Sequence, residues 1–252
     1  MRPGMILSLA WNDCKARFAG SALGIFWALA GPLVTVGIYW FVYTVALGGA
    51  SVDGVPYALW LMAGIAPWFF FAEGLTGAAS CFWDYRFLVR KMRFRAECLP
   101  LVRVCSAFFV HAGFLALVWL CLWISGFPPA PGQLWTFYWM AGGFLLILGL
   151  GKLCALLCVQ LRDVAHGVNV AVQLGFWITP VFWSPDTLPE GLRWLCVYNP
   201  AAVLVRGCRA ALLNGGSLPI WDQYCFWAAV ALLNLAGYLL MKRLRPTLAD
   251  KL

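Results

Sequence analysis

The chain has 252 residues, of which 63% are apolar and 11% charged, with a mean hydropathy of +0.82 and a formal net charge of +8. Soluble domains carry about 25% charged residues, so this composition excludes a water-soluble globular protein and requires the bilayer as solvent. The positive charge does not indicate nucleic acid, because Lys and Arg collect in the cytoplasmic loops of membrane proteins.

In chain order, residues 1–20 come first. Ile6, Leu9, Trp11 and Phe18 are interspersed with Asn12, Asp13, Lys15 and Arg17, which predicts a helix lying in the cytoplasmic interface. The apolar run Met5–Trp11 is short and no small-residue cleavage site follows it, so insertion is expected to rely on the first membrane helix. Charge is then absent from Phe18 to Val52, and again from Val104 to Gly151. At about 20 apolar residues per crossing, six spans are predicted: 27–48, 57–78, 104–125, 134–158, 166–184 and 224–241. Gly48-Gly49, Asp53-Gly54, the Pro128–Gly132 stretch and Arg162-Asp163 supply the breaks.

Two connections stand out. Residues 84–103 carry Arg86, Arg90, Lys91, Arg93, Arg95 and Arg103. Residues 185–223 are too long and too apolar for a solvated loop. Asn199-Pro200 is a helix start and Asn214-Gly215-Gly216 a stop, enclosing an apolar helix over 201–213 with Arg206 and Arg209 on one face. Such a helix is too short to cross and is expected to re-enter the outer leaflet. With both termini cytoplasmic, 15 of the 18 Lys and Arg residues fall inside and only Arg193, Arg206 and Arg209 outside, which sets the orientation. The expected fold is therefore an all-α integral membrane protein. One domain, 1–252, holds six transmembrane helices, an N-terminal interfacial helix and an exterior re-entrant hairpin between spans five and six.

Catalytic signatures are missing. Gly149-Leu150-Gly151-Lys152 fails the phosphate-loop pattern, since Leu146 and Leu153 occupy positions that need Gly and Ser or Thr. There is no GxSxG nucleophile elbow and no Cys/His ligand spacing for a metal. His111 reads as a packed or interfacial residue and His166 as a boundary residue. Glu73 and Lys152 lie inside predicted spans, near enough to the cytoplasmic end to snorkel; Glu73 stays a functional candidate. The ten cysteines sit mostly in apolar runs as small hydrophobes, although Cys196 and Cys208 share the exterior segment and are able to pair there. A pump without an energy site of its own needs a cytoplasmic partner.

Four blocks resemble a known family: Lys15–Trp27 with Pro32; Ala63–Phe71; Leu88–Pro100; and Arg162-Asp163 with Thr179-Pro180, Leu188-Pro189, Asn199-Pro200 and Arg209. The chain is similar to the permease subunit of type-2 ATP-binding-cassette (ABC) exporters, in the branch that exports O-antigen, teichoic acid or capsular polysaccharide. It departs from the family at Arg95, where Pro often follows Phe. The resemblance implies a multi-pass protein of the bacterial cytoplasmic (inner) membrane, paired with a second copy of itself and two ABC ATPase subunits. ATP and Mg belong to those partners, and no cofactor belongs to this chain. It implies that Arg86, Arg90, Lys91, Arg93, Arg95 and Glu97 in the coupling segment, with the N-terminal helix, meet the ATPase. Its implied substrate is a glycan on an undecaprenyl-type lipid pyrophosphate. Lys15 and Arg17 are the candidate pyrophosphate contacts. Tyr39, Trp40, Tyr43, Trp60 and Trp68 are the candidate glycan path, because sugars stack their apolar faces on aromatic rings. Asn199, Pro200, Arg206 and Arg209 are the candidate exterior gate. A type-2 permease for a drug or another lipid is the alternative. So is a membrane enzyme acting on lipid-linked sugars, with Asp84, Asp163 and His166 as its candidate groups.

Overall fold

The computed structural model describes residues 3–18, 24, 26–46, 48–49, 51–52, 54–87, 96–245 and 248. Helix α1 (Pro3–Phe18) is followed by α2 (Phe26–Trp40), which continues as a π-helical turn, Phe41–Ala46. A short antiparallel pair, β1 (Ser51–Val52) and β2 (Val55–Pro56), then leads into α3 (Tyr57–Asp84). The remaining helices are α4 (Leu99–Ile124), α5 (Trp135–Gln160), α6 (Asp163–Ile178), α7 (Trp194–Tyr198), α8 (Pro200–Asn214) and α9 (Ile220–Leu244).

Four segments are long and apolar enough to cross a membrane: Tyr57–Asp84, Ala96–Ile124, Pro131–Gln160 and Ile220–Leu244. They coincide with the second, third, fourth and sixth expected spans, the third ending one residue earlier than expected. Each helix outruns its apolar stretch, because a helix keeps its backbone hydrogen bonds past the point where charged side chains begin. The first expected span appears as α2 with its π turn. The fifth begins earlier than expected, at Asp163, and its helix stops at Ile178, where Thr179 turns extended before Pro180. Length and composition alone thus mark four of the six expected crossings.

Helix α3 is the axis of the bundle and packs against α2, α4, α5, α6 and α8. Membrane helices approach closely where side chains are small, and three glycines show this. A Cβ added at Gly207 of α8 would lie 2.3 Å from the Trp139 ring of α5. One at Gly142 would lie 2.6 Å from Phe226 of α9, and one at Gly64 of α3 would lie 1.9 Å from the Arg209 guanidinium.

Helix α8 follows its sequence signals closely. The Asn199 side chain accepts a hydrogen bond from the Ala201 N–H at 3.0 Å, Pro200 opens the helix, and Gly215 ends it with φ +60°. Its residues Val203, Leu204, Cys208, Ala211 and Leu212 are fully buried against the bundle. Cys196 and Cys208 are both buried free thiols, so the pairing entertained from sequence is not formed.

Gly207→Val should push into Trp139 and cost about 1–3 kcal/mol. A lower thermal midpoint in detergent would register that loss. Gly191→Ala, where nothing lies within 4 Å, should leave the midpoint unchanged.

Candidate functional site

Three groups of side chains carry chemistry. The first joins α1 to the ends of α3 and α4. Helix α1 lies along α4, with Trp11 edge-on to Phe109 at 5.6 Å. This contact brings four charged residues of α1 and α3 together with Arg103 and His111 of α4. Arg17 pairs with Glu73 and stands 3.2 Å from Asp13. The other Glu73 oxygen lies 3.0 Å from His111 Nε2. Arg103 donates to Asp13 at 2.9 Å and also pairs with Asp84. Asp13 further accepts a hydrogen bond from the Tyr85 hydroxyl, and Ser80 donates to Asp84 at 2.8 Å.

Only 6% of the Asp13 side chain and 13% of Arg103 is exposed, so losing one partner strands the other in a poorly hydrated site. Burial by itself raises the Asp13 carboxyl. The Tyr85 hydroxyl, the nearby Ser106 hydroxyl and the charges of Arg103 and Arg17 outweigh it, and the pKa settles below its ordinary 3.8. Burial and the Asp13 charge raise the Tyr85 hydroxyl. Glu73 keeps about a third of its side chain exposed and pairs across helices with Arg17, which α1 folds back far enough to deliver. His111 is packed, at 3% exposure, and hydrogen-bonded.

The second group is an aromatic groove of about 490 Å³. Tyr39, Tyr43, Tyr57, Trp60, Trp177 and Phe182 line it. Tyr43 stacks on Tyr57 with ring centres 3.8 Å apart, and Tyr39 stacks on Phe182 at 5.4 Å. The Tyr57 hydroxyl donates to the Phe182 carbonyl at 3.0 Å. Of the five rings proposed from sequence, the structure brings Tyr39, Tyr43 and Trp60 together here. Trp40 is exposed on α2 and does not line the groove. Trp68 is buried and lines a separate cavity of about 290 Å³ with Phe71, Val172 and Gly175. Tyr57, Trp177 and Phe182 also line the groove, and the residue order did not single them out as part of the path.

The third group belongs to α8. The buried Arg209 donates to the carbonyls of Trp60 (3.2 Å), Pro180 (2.8 Å) and Val181 (2.5 Å). Its guanidinium also lies 3.6 Å from the Trp60 ring centre, a cation–π contact. Arg206 donates to the Cys196 carbonyl at 3.0 Å and to Asp222 of α9 at 2.8 Å. Asn199 Nδ2 reaches Thr179 Oγ1 at 3.3 Å. Of the four proposed gate residues, Arg206 and Arg209 line a polar cavity of about 230 Å³ that shares Trp60 and Ser184 with the aromatic groove; Asn199 lines the separate cavity that holds Trp68, and Pro200 opens α8.

Of the proposed coupling residues, Arg86 is exposed just beyond α3, and Glu97 pairs with Arg245 at 2.9 Å. Arg90, Lys91, Arg93 and Arg95 lie outside the described residues. Lys15 is exposed, its ammonium 5.8 Å from the Trp11 ring centre. Arg17 is held by Glu73 and Asp13, so the two candidate pyrophosphate contacts differ in availability. Among the described residues, no group of three or more His, Cys, Asp or Glu is placed to hold a metal ion.

These features match a described family: residues 5–213 fit the model of the ABC-2 type transporter. The chain belongs to that family. It is thus a multi-pass membrane transport subunit. Its relatives include the O-antigen export system permease protein RfbA of Klebsiella pneumoniae, 26% identical over 212 residues, covering 84% of this chain and 81% of that protein. A second Klebsiella pneumoniae RfbA is 24% identical over 98% of this chain and 94% of its own length. The Myxococcus xanthus protein of that name is 28% identical over 92% of this chain and 88% of its own.

Two outcomes test the ties. Arg209→Met leaves the carbonyls of Pro180 and Val181 without their donor, at about 1–3 kcal/mol each, and a large fall in thermal midpoint is expected. Because the Asp13 pKa is depressed in the folded protein, its stabilising effect is present above its unfolded value of 3.8. That effect is lost as pH falls through the folded value. Asp13→Asn should therefore lower stability at neutral pH and flatten the loss below pH 4, measured as thermal midpoint against pH.

Proposed function

We propose that the chain is the membrane permease of an ATP-driven exporter that moves a lipid-linked, O-antigen-like polysaccharide across the cytoplasmic (inner) membrane. The aromatic groove of Tyr39, Tyr43, Tyr57, Trp60 and Phe182 carries the reading. Stacked rings offer sugar faces a continuous apolar track with few fixed hydrogen bonds, so a polymer slides along it without being trapped. The names of the relatives agree with it, across nearly the whole chain in two cases.

In this reading six segments cross the bilayer. Residues 26–46 form one crossing, about 31 Å at 1.5 Å per residue, and α6 with the extended residues after it forms another. Helix α8, about 22 Å long, re-enters from the exterior. Both termini face the cytoplasm, where the basic residues collect. Two copies stand side by side. Helices α2 and α6 face the partner copy, because both are free of basic residues and leave Trp27, Ile38, Trp40, Val170, Leu174 and Trp177 exposed. Two ABC ATPase subunits dock below, on residues 84–103 and α1. ATP and Mg act there. Residues Asp84 and Tyr85 precede the basic segment and Arg103 follows it. Asp13 grips Tyr85 and Arg103, so a push on the segment reaches α1, α3 and α4 together. Lys15 is the open cation for the lipid pyrophosphate, and Arg17 serves that role only if Glu73 releases it.

The test is reconstitution of the chain with an ABC ATPase subunit and an undecaprenyl-pyrophosphate-linked glycan in vesicles. Glycan-stimulated ATP hydrolysis and glycan appearance on the far side are expected. Tyr43→Ala should cut transport severalfold, with Tyr43→Phe close to wild type because the stacking face survives. Transport by the permease alone, or transport of a drug with no response to glycan, would overturn the reading.

A further inference from the structure

Lys152 is unused by any of this. It sits eight residues before the end of α5, about 12 Å along the helix from its terminus, in a segment otherwise free of charge from Val104. A lysine at such depth is costly unless it is paired or reaches a polar zone. Among the described residues Lys152 has no hydrogen-bond or ion-pair partner. Its stem runs past Gly237 of α9, where an added Cβ would lie 3.2 Å from Lys152 Cβ and 3.6 Å from its Cδ. Glycine at that crossing lets the stem pass between the two helices without adjustment.

The side chain lines a cavity of about 470 Å³ together with Glu97, Cys98, Tyr238, Met241, Lys242 and Arg245. Tyr238, Met241, Lys242 and Arg245 recur at helical spacing, so α9 presents them on one face. Glu97 pairs with Arg245 at 2.9 Å and consumes one positive charge. Lys152 and Lys242 remain, two ammonium groups facing a space bordered by the apolar Met241 and the ring of Tyr238. The cavity shares no residue with the aromatic groove. It borders α9, the least buried of the four long apolar helices, with 22% of its apolar window covered. In the single chain this face is open, so the hydrocarbon chains of a lipid have room to lie against it.

We infer that this cavity is a binding site for the phosphate headgroup of an anionic glycerophospholipid, held by Lys152 and Lys242 between α5 and α9. The phosphate supplies the anion that Lys152 lacks, the glycerol and upper acyl carbons lie on Met241 and Tyr238, and basic pockets between membrane helices suit such headgroups. The lipid would pin α9 to α5 at the end where Lys242, Arg243 and Arg245 cluster. The inference stands apart from what the exporter carries.

Native mass spectrometry of the full chain in non-ionic detergent tests it, with phosphatidylglycerol, phosphatidylcholine and undecaprenyl phosphate supplied at equal concentration. Phosphatidylglycerol should be retained over the other two. Retention should fall roughly fivefold for each of Lys152→Gln and Lys242→Gln, and Arg243→Gln, which does not line the cavity, should match wild type. Millimolar inorganic phosphate should not displace the lipid. Lys242 lies at the exposed end of α9, so Lys242→Gln decides the matter if Lys152→Gln fails to fold. Equal retention of phosphatidylcholine, unchanged retention in Lys242→Gln, preference for undecaprenyl phosphate, or displacement by inorganic phosphate would each overturn the assignment.

Discussion

Where α6 stops at Ile178, the backbone continues as irregular chain within a bundle built to exclude water, and its carbonyls need donors. Arg209 supplies them. One side chain from α8 reaches the carbonyls of Pro180 and Val181 and that of Trp60 in α3. The Trp60 ring covers the guanidinium, and Gly64 leaves space for it. Three segments distant in sequence are thereby fixed around one cation. The aromatic groove follows from this tie, because Trp60, Phe182 and Trp183 are all set by the backbone that Arg209 holds. Pro180 sets where α6 breaks, and Arg209 satisfies the carbonyls that the break leaves open.

The other end of the molecule is organised by the same logic with opposite signs. Asp13, Glu73 and Asp84 are the acids; Arg17 and Arg103 are the bases; His111, Tyr85 and Ser80 complete the hydrogen bonding. Each ion has two partners or more, which is the condition under which poorly hydrated ion pairs persist. Between the two polar ends lies an apolar middle, where close approach at Gly142, Gly151 and Gly207 gives contact area and no net drive from water.

Much of the architecture was legible in the residue order. Runs of uncharged residues located the long helices, since a charge in hydrocarbon is expensive whatever the fold. Asn199-Pro200 and Asn214-Gly215 located both ends of α8, because capping is decided within a few residues. What could not be read was anything that depends on which residues meet. Arg17 and Glu73 are 56 positions apart, and only the fold-back of α1 pairs them. Tyr39, Tyr43 and Trp60 were identified as rings, but Trp40 and Trp68 looked equivalent. A charge-free helix gives no polar face to orient it, so the side on which each ring falls is set by neighbours. The break after Ile178 carried a local signal in Thr179-Pro180, since the residue before a proline is pushed out of the helical region, but the apolar Val181 and Phe182 that follow let the span read as continuing to 184.

The ion pairs around α1 also alter what an approaching protein senses. Arg17 and Arg103 contribute to the count of basic residues, yet Asp13, Glu73 and Asp84 cancel their field at short range, and screening removes the rest within about 10 Å at moderate salt. The densest source of long-range positive potential on this face is thus the stretch from Arg86 to Arg95, which holds five basic residues and no acidic one, with the exposed Lys15, Arg162, Lys242 and Arg243 adding to it. The approach of an acidic partner to this face should accordingly respond to ionic strength chiefly through these uncompensated cations, while the internally compensated residues govern how firmly the scaffold beneath holds its shape.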